Sequence, residues 1–197
     1  DLALRESHPE YALVEISSYQ IDLLKTLHFN AAVILNITED HIDRYGIFDK
    51  YFQSKLNIQN FCELLISRDD IFNNELGTTF SVKNEDADLA FGDNKLSIEN
   101  DLFKLPTFSF HGQHNRENAL AVLALLNSQK ISIEASLEAL SDFRCSEHRL
   151  ENVGTYNGVH YVNDSKSTNP ASLMVALETF GDKNKKIVLI AGGRDKN

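Results

Sequence analysis

The sequence predicts an α/β protein with a mostly parallel sheet. Two short apolar runs, residues 11–16 (YALVEI) and residues 31–37 (AAVILNI), end in polar residues, which is typical of strands buried on both faces of a parallel sheet. Residues 19–27 between them favour a helix, and residues 49–65 (DKYFQSKLNIQNFCELL) favour a longer amphipathic helix. Because strands and helices alternate along the chain, the fold class is α/β.

The next stretch of the chain completes this first unit. Between residues 75 and 110, short alternating segments broken by Asn, Asp and Gly predict short strands and hairpins that extend the sheet, with antiparallel pairing as an option. Apolar periodicity then predicts helices over residues 115–126 and residues 133–140. We therefore assign residues 1–148 to one domain, with its boundary between residues 146 and 149.

A second α/β unit is predicted to begin at the boundary. Two short strands are joined by Asn157-Gly158, a dipeptide typical of a two-residue hairpin turn. A polar loop follows, then a helix that starts near Pro170 and a strand over residues 186–191. We assign residues 149–197 to this second domain.

Composition excludes several functional classes. A hydrophobic content of 42% with 24% charged residues is ordinary for a soluble globular protein, and no apolar run is long enough for a membrane span or a signal peptide. A formal net charge of −10 argues against a nucleic-acid partner, which requires clustered Lys and Arg. Cys62 and Cys145 lie far apart, so neither a disulfide framework nor a zinc site is indicated, and a reducing cytoplasm fits.

We expect that both ends of the chain are cut. Its length of 197 residues lies above one usual domain and below two comfortable ones. The only methionine is Met174, and residues 187–197 have the pattern of a buried strand and a glycine turn with no helix after them.

Polar residues follow each of the first two predicted strands. Glu15 stands at the end of the first strand, and residues 38–44 (TEDHIDR) follow the second. Because ligands of open α/β sheets gather beyond the carboxyl ends of the strands, Glu15 and His41 are candidates to hold a hard cation such as Mg²⁺. By residue type alone, Glu15 can equally cap a turn, and His41 can be a structural histidine. Lys55, on the helix that follows, has by pattern the ordinary interpretation of a solvated lysine.

Two further segments carry candidate binding groups. Residues 163–169 (NDSKSTN) place Asp, Lys, Ser and Thr in a loop before the helix at Pro170, where free backbone N–H groups favour an anion. A plain turn is an equal alternative there. Gly192-Gly193 after the last predicted strand permit close backbone approach to a ligand, although most such pairs simply form the turn.

Read together and in order, several strings resemble the Mur ligase family. They are VEISSYQ (14–20), ILNITEDHIDRY (34–45), SKLNI (54–58), GQHNRENAL (112–120), EHR (147–149) and NDSKSTN (163–169). Each string is weak alone, but their order and spacing over nearly the whole chain are very specific. The NDSKSTN string favours the branch of the family that adds D-glutamate over the sister ligases.

The resemblance implies a three-domain architecture. A domain that holds the UDP substrate precedes a central ATPase domain of the phosphate-loop type, and a Rossmann-like domain closes over the site. This chain would hold most of the central domain and about the first third of the last one. It departs from the family pattern because no Gly is followed by Lys, so the phosphate loop is missing, and we expect the isolated chain to be inactive.

The resemblance also implies the reaction and its participants. ATP phosphorylates the carboxylate of UDP-N-acetylmuramoyl-L-alanine, and the amine of D-glutamate attacks the acyl phosphate, in cytoplasmic synthesis of peptidoglycan precursors. The implied cofactors are ATP and Mg²⁺, since cations offset the charge of the transferring phosphoryl group. For the full-length protein we expect a monomer.

Individual roles follow from the same resemblance. The implied magnesium ligands are Glu15, His41 and Lys55, with Lys55 as a carbamate. The implied catalytic residues are Lys55, His41 and Lys166, the implied nucleotide contacts are Asn118 (adenine), Arg149 and Asp164 (phosphate and ribose), and the implied substrate contacts are Ser17, Thr168 and Lys196. Of these, Lys166, Thr168 and Lys196 would face D-glutamate and the acyl phosphate.

Two alternatives remain open on the sequence. Folylpolyglutamate synthase shares the architecture and a carbamylated lysine, but not the EISSYQ and NDSKSTN strings. A non-catalytic nucleotide-binding module is the second alternative, and the missing phosphate loop is its best support.

Overall fold

A computed structural model describes residues 9–71, 77–99, 101–110, 112–181 and 186–193. Its strands are β1 (Phe29–Ile34), β2 (Cys62–Arg68), β3 (Thr78–Ser81), β4 (Leu89–Phe91), β5 (Lys95–Ile98), β6 (Asp101–Lys104), β7 (Glu151–Tyr156) and β8 (Val159–Asn163). Its helices are α1 (Ser18–Ile21), α2 (Ile42–Tyr45), α3 (Phe48–Leu56), α4 (Gln113–Ser128), α5 (Ile133–Asp142) and α6 (Pro170–Phe180), and a 3-10 turn spans Asn57–Phe61.

Strands β1 to β6 form one six-stranded sheet in chain order. The pairings from β1 to β4 are parallel, whereas β4, β5 and β6 pair in antiparallel fashion. Strands β3 and β4 are almost entirely buried and β2 is buried in its second half, whereas β1, at the edge of the sheet, is mostly half-buried. The predicted α/β class with a mostly parallel sheet is therefore confirmed.

The larger hydrophobic core lies between the sheet and helices α4 and α5. Ile66 and Phe80 from the sheet and Leu120 and Leu123 from α4 are completely buried there. Each such side chain contributes about 1.5–3 kcal/mol by leaving water. Helix α5 begins at Ser132, whose hydroxyl accepts a hydrogen bond from the backbone N–H of Ala135 and so satisfies one free donor of its first turn.

A smaller core lies on the opposite face of the sheet, beneath α1 and α3. Leu65 belongs to this core, whereas its neighbour Ile66 belongs to the larger one, because successive strand residues point to opposite faces. Ile21 of α1, Ile34 of β1 and Leu56 of α3 pack with Leu65. This packing fixes α1 and α3 beside the end of β1, where the candidate ligands lie.

The β7–β8 hairpin and α6 follow as separate elements. Asn157 and Gly158 both have positive φ, which is the turn geometry that their sequence predicts. Helix α6 begins at Pro170, and the side chain of Asn169 accepts a hydrogen bond from the backbone N–H of Ser172. Among the described residues, no helix is both long and apolar enough to cross a membrane.

Two predicted strands are wrong. Residues 11–16 and residues 186–191 lie outside any strand, and their apolar side chains are exposed, with Leu13 at 89% and Ile190 at 95%. Their composition indicates strands, but a strand also requires a neighbour that takes up its backbone N–H and C=O groups. Within the described ranges, neither segment pairs with any strand of the main sheet.

Several boundaries also differ from the predictions. The helix expected over residues 49–65 ends at Leu56, and residues from Cys62 onward form β2, because Cys62 and Leu64 pair with β1 and the adjacent Leu65 and Ile66 become buried. Tertiary packing thus overrides the helical periodicity of this stretch. The first helix ends at Ile21, the strand expected over residues 31–37 spans residues 29–34, and β6 was not predicted.

Candidate functional site

His41 lies in the loop between β1 and α2 and forms the N-terminal cap of α2. Its φ of 55° is left-handed, a conformation that is uncommon for a residue with a side chain. The backbone N–H of His41 donates to Asp40 Oδ1 at 2.9 Å, and the ring atom Nδ1 forms a 3.1 Å hydrogen bond with the hydroxyl of Tyr19. Contacts on both the backbone and the ring therefore fix this histidine.

Aromatic rings surround His41. Tyr19, His41, Tyr45 and Tyr51, which we call the aromatic cluster, have ring centroids 5.0 Å apart for Tyr19 and His41 and 5.7 Å apart for His41 and Tyr51. Tyr45 stacks on Tyr19, and the guanidinium of Arg44 lies 4.2 Å from the Tyr19 ring centroid. The cluster joins α1, α2 and α3 around the imidazole.

Lys55, on α3, is half-buried beside this cluster. Its Nζ lies 5.7 Å from the ring centroid of Tyr51. Burial lowers the pKa of Lys55, and the carboxylates of Asp40 and Glu15 oppose that shift. The structure thus brings Glu15, Asp40, His41, Tyr51 and Lys55 to one place, which we call the lysine site.

Asp40 and Tyr51 are the members of the lysine site that were not identified from the sequence, and Asp40 is the charged one. Its carboxylate holds the backbone of His41 and acts electrostatically on Lys55, ahead of Glu15 in size. The sequence does contain the signal, because Asp40 directly precedes His41 after a buried strand. A carboxylate that follows a strand and directly precedes a histidine is a pattern that indicates Asp40 as a candidate.

The lysine site contains residue types that Mg²⁺ accepts as ligands. No three His, Cys, Asp or Glu side chains of the described ranges already converge on one metal position. Mg²⁺ does not require such a cage, because it keeps several waters and takes one or two carboxylates together with phosphate oxygens. The carboxylates of Glu15 and Asp40 both act on Lys55, and Asp40 also accepts the backbone N–H of His41.

Ser17 has a structural task at the start of α1. Its hydroxyl accepts a hydrogen bond from the backbone N–H of Gln20, and the Gln20 side chain accepts one from the backbone N–H of Ser17. This reciprocal capping box stabilises the short helix that carries Tyr19. The Ser17 hydroxyl is nevertheless exposed at the surface.

A second group of candidate residues lies in the loop before α6. Asp164 accepts hydrogen bonds from the backbone N–H of Leu150 at 3.0 Å and from the hydroxyl of Ser167 at 2.5 Å. The backbone N–H of Lys166 donates to the carbonyl of His148 at 3.1 Å. These bonds tie the loop to the segment that precedes β7.

Side-chain hydrogen bonds also connect the segment that precedes β7 with strands β7 and β8. Glu151 accepts hydrogen bonds from the backbone N–H of His148 and from the amide of Asn163. His148 and Leu150 both have left-handed φ values, of 69° and 47°. We call His148, Leu150, Glu151, Asn163 and Asp164 the loop clasp, because their hydrogen bonds hold a backbone that is otherwise unfavourable for these residue types.

The remaining candidates are exposed. The side chains of Lys166 and Thr168 lie at the surface of the loop, and Arg149 is exposed next to the loop clasp. Asn118 is exposed on α4. Lys196 lies outside the described residues.

His114 lies where α4 and α6 approach each other. A side-chain carbon added at Gly112 would lie 2.9 Å from Thr179 Oγ1 and 2.7 Å from His114 Cε1, so α6 contacts the start of α4. Burial lowers the pKa of His114, while Glu117 and Asp164 oppose that shift. Asp164 therefore lies near the first turn of α4, the helix that carries Asn118.

Comparison with known families decides the classification. The family described as the Mur ligase middle domain matches residues 2–126. The chain belongs to the Mur ligase family. Two relatives are both called UDP-N-acetylmuramoylalanine–D-glutamate ligase: the protein from Nitrosomonas eutropha is 35% identical over 95% of this chain and 43% of its own length, and that from Coxiella burnetii is 36% identical over 95% and 45%. The chain thus spans less than half the length of these relatives.

Solved structures of other Mur ligases share the fold. A pseudomurein peptide ligase type C from Methanothermus fervidus is 20% identical, with a TM-score of 0.67 over 79% of this chain and 42% of that one. A UDP-N-acetylmuramoyl-L-alanyl-D-glutamate–2,6-diaminopimelate ligase is 19% identical, with a TM-score of 0.64 over 83% of this chain and 38% of that one. At these identities the similarity establishes the α/β architecture alone.

Proposed function

We propose that the protein is an ATP-dependent ligase that joins D-glutamate to UDP-N-acetylmuramoyl-L-alanine through an acyl-phosphate intermediate, in cytoplasmic peptidoglycan precursor synthesis. The observation that carries the proposal is the lysine site, where a half-buried Lys55 lies within the field of Asp40 and Glu15 beside a fixed His41. The names of the relatives from Nitrosomonas eutropha and Coxiella burnetii support the choice of substrates.

Lys55 acts as a carbamate in this proposal. The neutral amine attacks CO₂ and releases a proton, and the lowered pKa of Lys55 increases the neutral fraction. Carbamylation replaces a cation with an anion beside Asp40 and Glu15, so that three negative groups adjoin one another. A divalent cation would stabilise such a group, because like charges disfavour one another.

Glu15, His41 and the carbamylated Lys55 hold Mg²⁺ in this proposal, and Asp40 orients His41. When bound, the ion offsets the negative charge on the transferring phosphoryl group. The substrate carboxylate attacks the γ-phosphorus and ADP leaves. The amine of D-glutamate then attacks the acyl carbon and phosphate leaves. The chain's own residues position and neutralise charge in these steps rather than form covalent bonds.

In this proposal the candidate residues outside the lysine site bind the nucleotide and the substrates. Asn118 contacts adenine, and Arg149 and Asp164 contact phosphate and ribose. Among the residues that receive D-glutamate and the acyl phosphate are Lys166 and Thr168, whose exposed side chains are accessible to a ligand. Lys196 has the same proposed task, and Ser17 contacts the muramoyl substrate.

Residues 1–148 form the central ATP-binding domain in this proposal, and residues 149–197 begin the Rossmann-like domain. The support is that β7 and β8 form their own sheet, apart from the six-stranded one. The left-handed residues at the predicted boundary support it as well. The full-length protein acts as a monomer.

The proposal is tested by measuring ADP release from the natural full-length protein with each component omitted in turn. We expect turnover only when UDP-N-acetylmuramoyl-L-alanine, D-glutamate, ATP and Mg²⁺ are all present. L-glutamate and a folate serve as control substrates, and equal rates with either would contradict the proposal. The 197-residue chain alone should release no ADP, because it contains no Gly-Lys step of a phosphate loop.

A further inference from the structure

We propose that Tyr19 is a positioning residue for His41. The Tyr19 hydroxyl holds Nδ1 of the imidazole, so that the lone pair of Nε2 faces the ligand of the lysine site. The inference rests on the proposed function, since it assigns His41 a ligand, but its central observation is independent of it. Tyr19 and His41 are 22 residues apart in the chain and meet at 3.1 Å.

The Tyr19 hydroxyl is the hydrogen-bond partner of the imidazole among the described residues. Asp40 Oδ1 lies 3.9 Å from Nδ1, which is too far for a hydrogen bond, and it is engaged with the backbone N–H of His41. The imidazole ring also contacts the rings of Tyr19 and Tyr51. One hydrogen bond and two ring contacts therefore define the orientation of His41.

Tyr19 is itself held in place. Its ring stacks on Tyr45 at a centroid distance of 6.1 Å and an interplanar angle of 7°, and the guanidinium of Arg44 lies 4.2 Å from its centroid. The Tyr45 hydroxyl donates to Asp22, which also accepts a hydrogen bond from Ser54 on α3. A residue anchored in this way can position another, because its hydroxyl has little freedom to follow the imidazole.

The surrounding charges select the position of the histidine proton. A neutral imidazole carries one N–H group and one lone pair, and the partner of one nitrogen determines the state of the other. The carboxylate of Asp40 lies 3.9 Å from Nδ1 and favours a proton there, and the Tyr19 hydroxyl, which can donate or accept, is then the acceptor. Nδ1–H then donates to Tyr19, and Nε2 keeps the lone pair that a cation requires.

The test is ¹⁵N NMR of histidine-labelled, natural full-length protein, without ATP or metal. Spectra are recorded about two pH units above the ordinary histidine pKa of about 6.5, and His41→Gln identifies the resonances of His41. We expect the Nδ1–H tautomer in the wild-type protein and a mixture of tautomers in Tyr19→Phe, which retains the ring but lacks the hydroxyl. Tyr156→Phe is the control, because it removes the hydroxyl of an exposed tyrosine on the β7–β8 hairpin, and it should leave the His41 signals unchanged.

A double-mutant cycle provides the second measurement. If Tyr19 acts through His41, Tyr19→Phe should raise the Mg²⁺ concentration for half-maximal ligation about 10-fold in the wild-type background and have no further effect in His41→Gln. Additive losses, or unchanged His41 resonances in Tyr19→Phe, would overturn the proposal. A protein with the expected tautomer shift and no ligation would instead refute the proposed function and leave the positioning of His41 intact.

Discussion

Around the lysine site one carboxylate, that of Asp40, holds a backbone N–H group and the other contacts join side chains, whereas in the loop clasp two carboxylates hold the backbone N–H groups of left-handed residues. Tyr19 bonds the ring of His41, and Lys55 lies against Tyr51 and within the field of two carboxylates. Asp164 and Glu151 instead bind the backbone of Leu150 and His148. The two regions contain similar residue types, but their side chains make different kinds of contact.

This difference separates activity from stability. At the lysine site, the charges of Lys55 and Glu15 can be rearranged by a ligand or a modification while the bond from Asp40 to the His41 backbone is kept. In the loop clasp, an oxygen that leaves its N–H donor exposes a strained backbone to competing conformations. Substitutions at the lysine site should therefore mainly reduce turnover, and those in the loop clasp should also reduce stability.

The largest expected effect is that of Lys55→Ala on ligation. If Lys55 is carbamylated, removal of the anion should lower the rate roughly 10³-fold, the size seen when a preorganised charge-stabilising group is lost. Added acetate should restore part of the rate by occupying the vacated anion position, while the free energy of unfolding changes little. The assay is ADP release by the natural full-length protein at limiting Mg²⁺.

Lys50→Ala is the matched control for this experiment. Lys50 lies on the same helix, α3, but is exposed, so neither rate nor acetate dependence should change. Near-normal turnover of Lys55→Ala would return Lys55 to the ordinary interpretation of a helix lysine. If Lys55→Ala loses activity and acetate does not restore it, the result would argue for a cationic rather than an anionic role of Lys55.

The next effect should appear in stability, at Asp164. Asp164→Ala removes the acceptor of the Leu150 N–H and of the Ser167 hydroxyl, so we expect a loss of about 1–3 kcal/mol in the free energy of unfolding. Asp164→Asn keeps an oxygen for Leu150 and should lose less. Urea unfolding of both variants measures the difference, and equal midpoints for wild type and Asp164→Ala would remove the contrast between the two regions.

The sequence pointed to residues that lie near one another, whereas it predicted the secondary structure around them less well; their roles in a site stay predictions. Glu15, His41 and Lys55 were candidates from residue type and family strings, and the structure brings them together with Asp40. The strand assigned to residues 11–16 is nevertheless absent. Strings of a few residues report local chemistry, whereas a strand depends on a partner elsewhere in the chain that periodicity does not identify.

Contacts between distant segments account for the other differences. No local pattern indicates that Tyr19 meets His41, or that residues after Cys62 form a strand within a helical periodicity. The hairpin at Asn157-Gly158 and the helix at Pro170 were predicted correctly because their signals are local turn and cap chemistry. The hydrogen bonds of Asp164 cannot be predicted from the sequence. One donor, the N–H of Leu150, lies outside the NDSKSTN string, and the other, the Ser167 hydroxyl, reaches Asp164 only in this loop conformation.

A third prediction concerns the contact between α4 and α6, which lies near the loop clasp. Gly112→Ala places a side chain at a φ of 89° and within 2.9 Å of Thr179 Oγ1, so we expect a loss of about 1–2 kcal/mol or more. Gly158→Ala is the control, because its φ is also positive, at 76°, but no atom lies within 4 Å. In unfolding experiments on both variants, the excess loss in Gly112→Ala measures the crowding by His114 and Thr179 together. Equal losses would mean that backbone strain alone acts and that α6 does not restrict Gly112.

The smallest effect is a pH dependence at the same contact. Burial lowers the pKa of His114 below its ordinary value of 6.5, and its Nδ1 has no hydrogen-bond partner among the described residues. Between the folded-state pKa and 6.5 the unfolded chain binds more protons than the folded one, so the free energy of unfolding decreases as the pH falls through this window. The contribution is fully present above 6.5 and is lost below the folded-state pKa. Urea midpoints over a pH series should therefore fall more steeply for wild type than for His114→Gln, and parallel curves would show that the charge on His114 does not affect the contact.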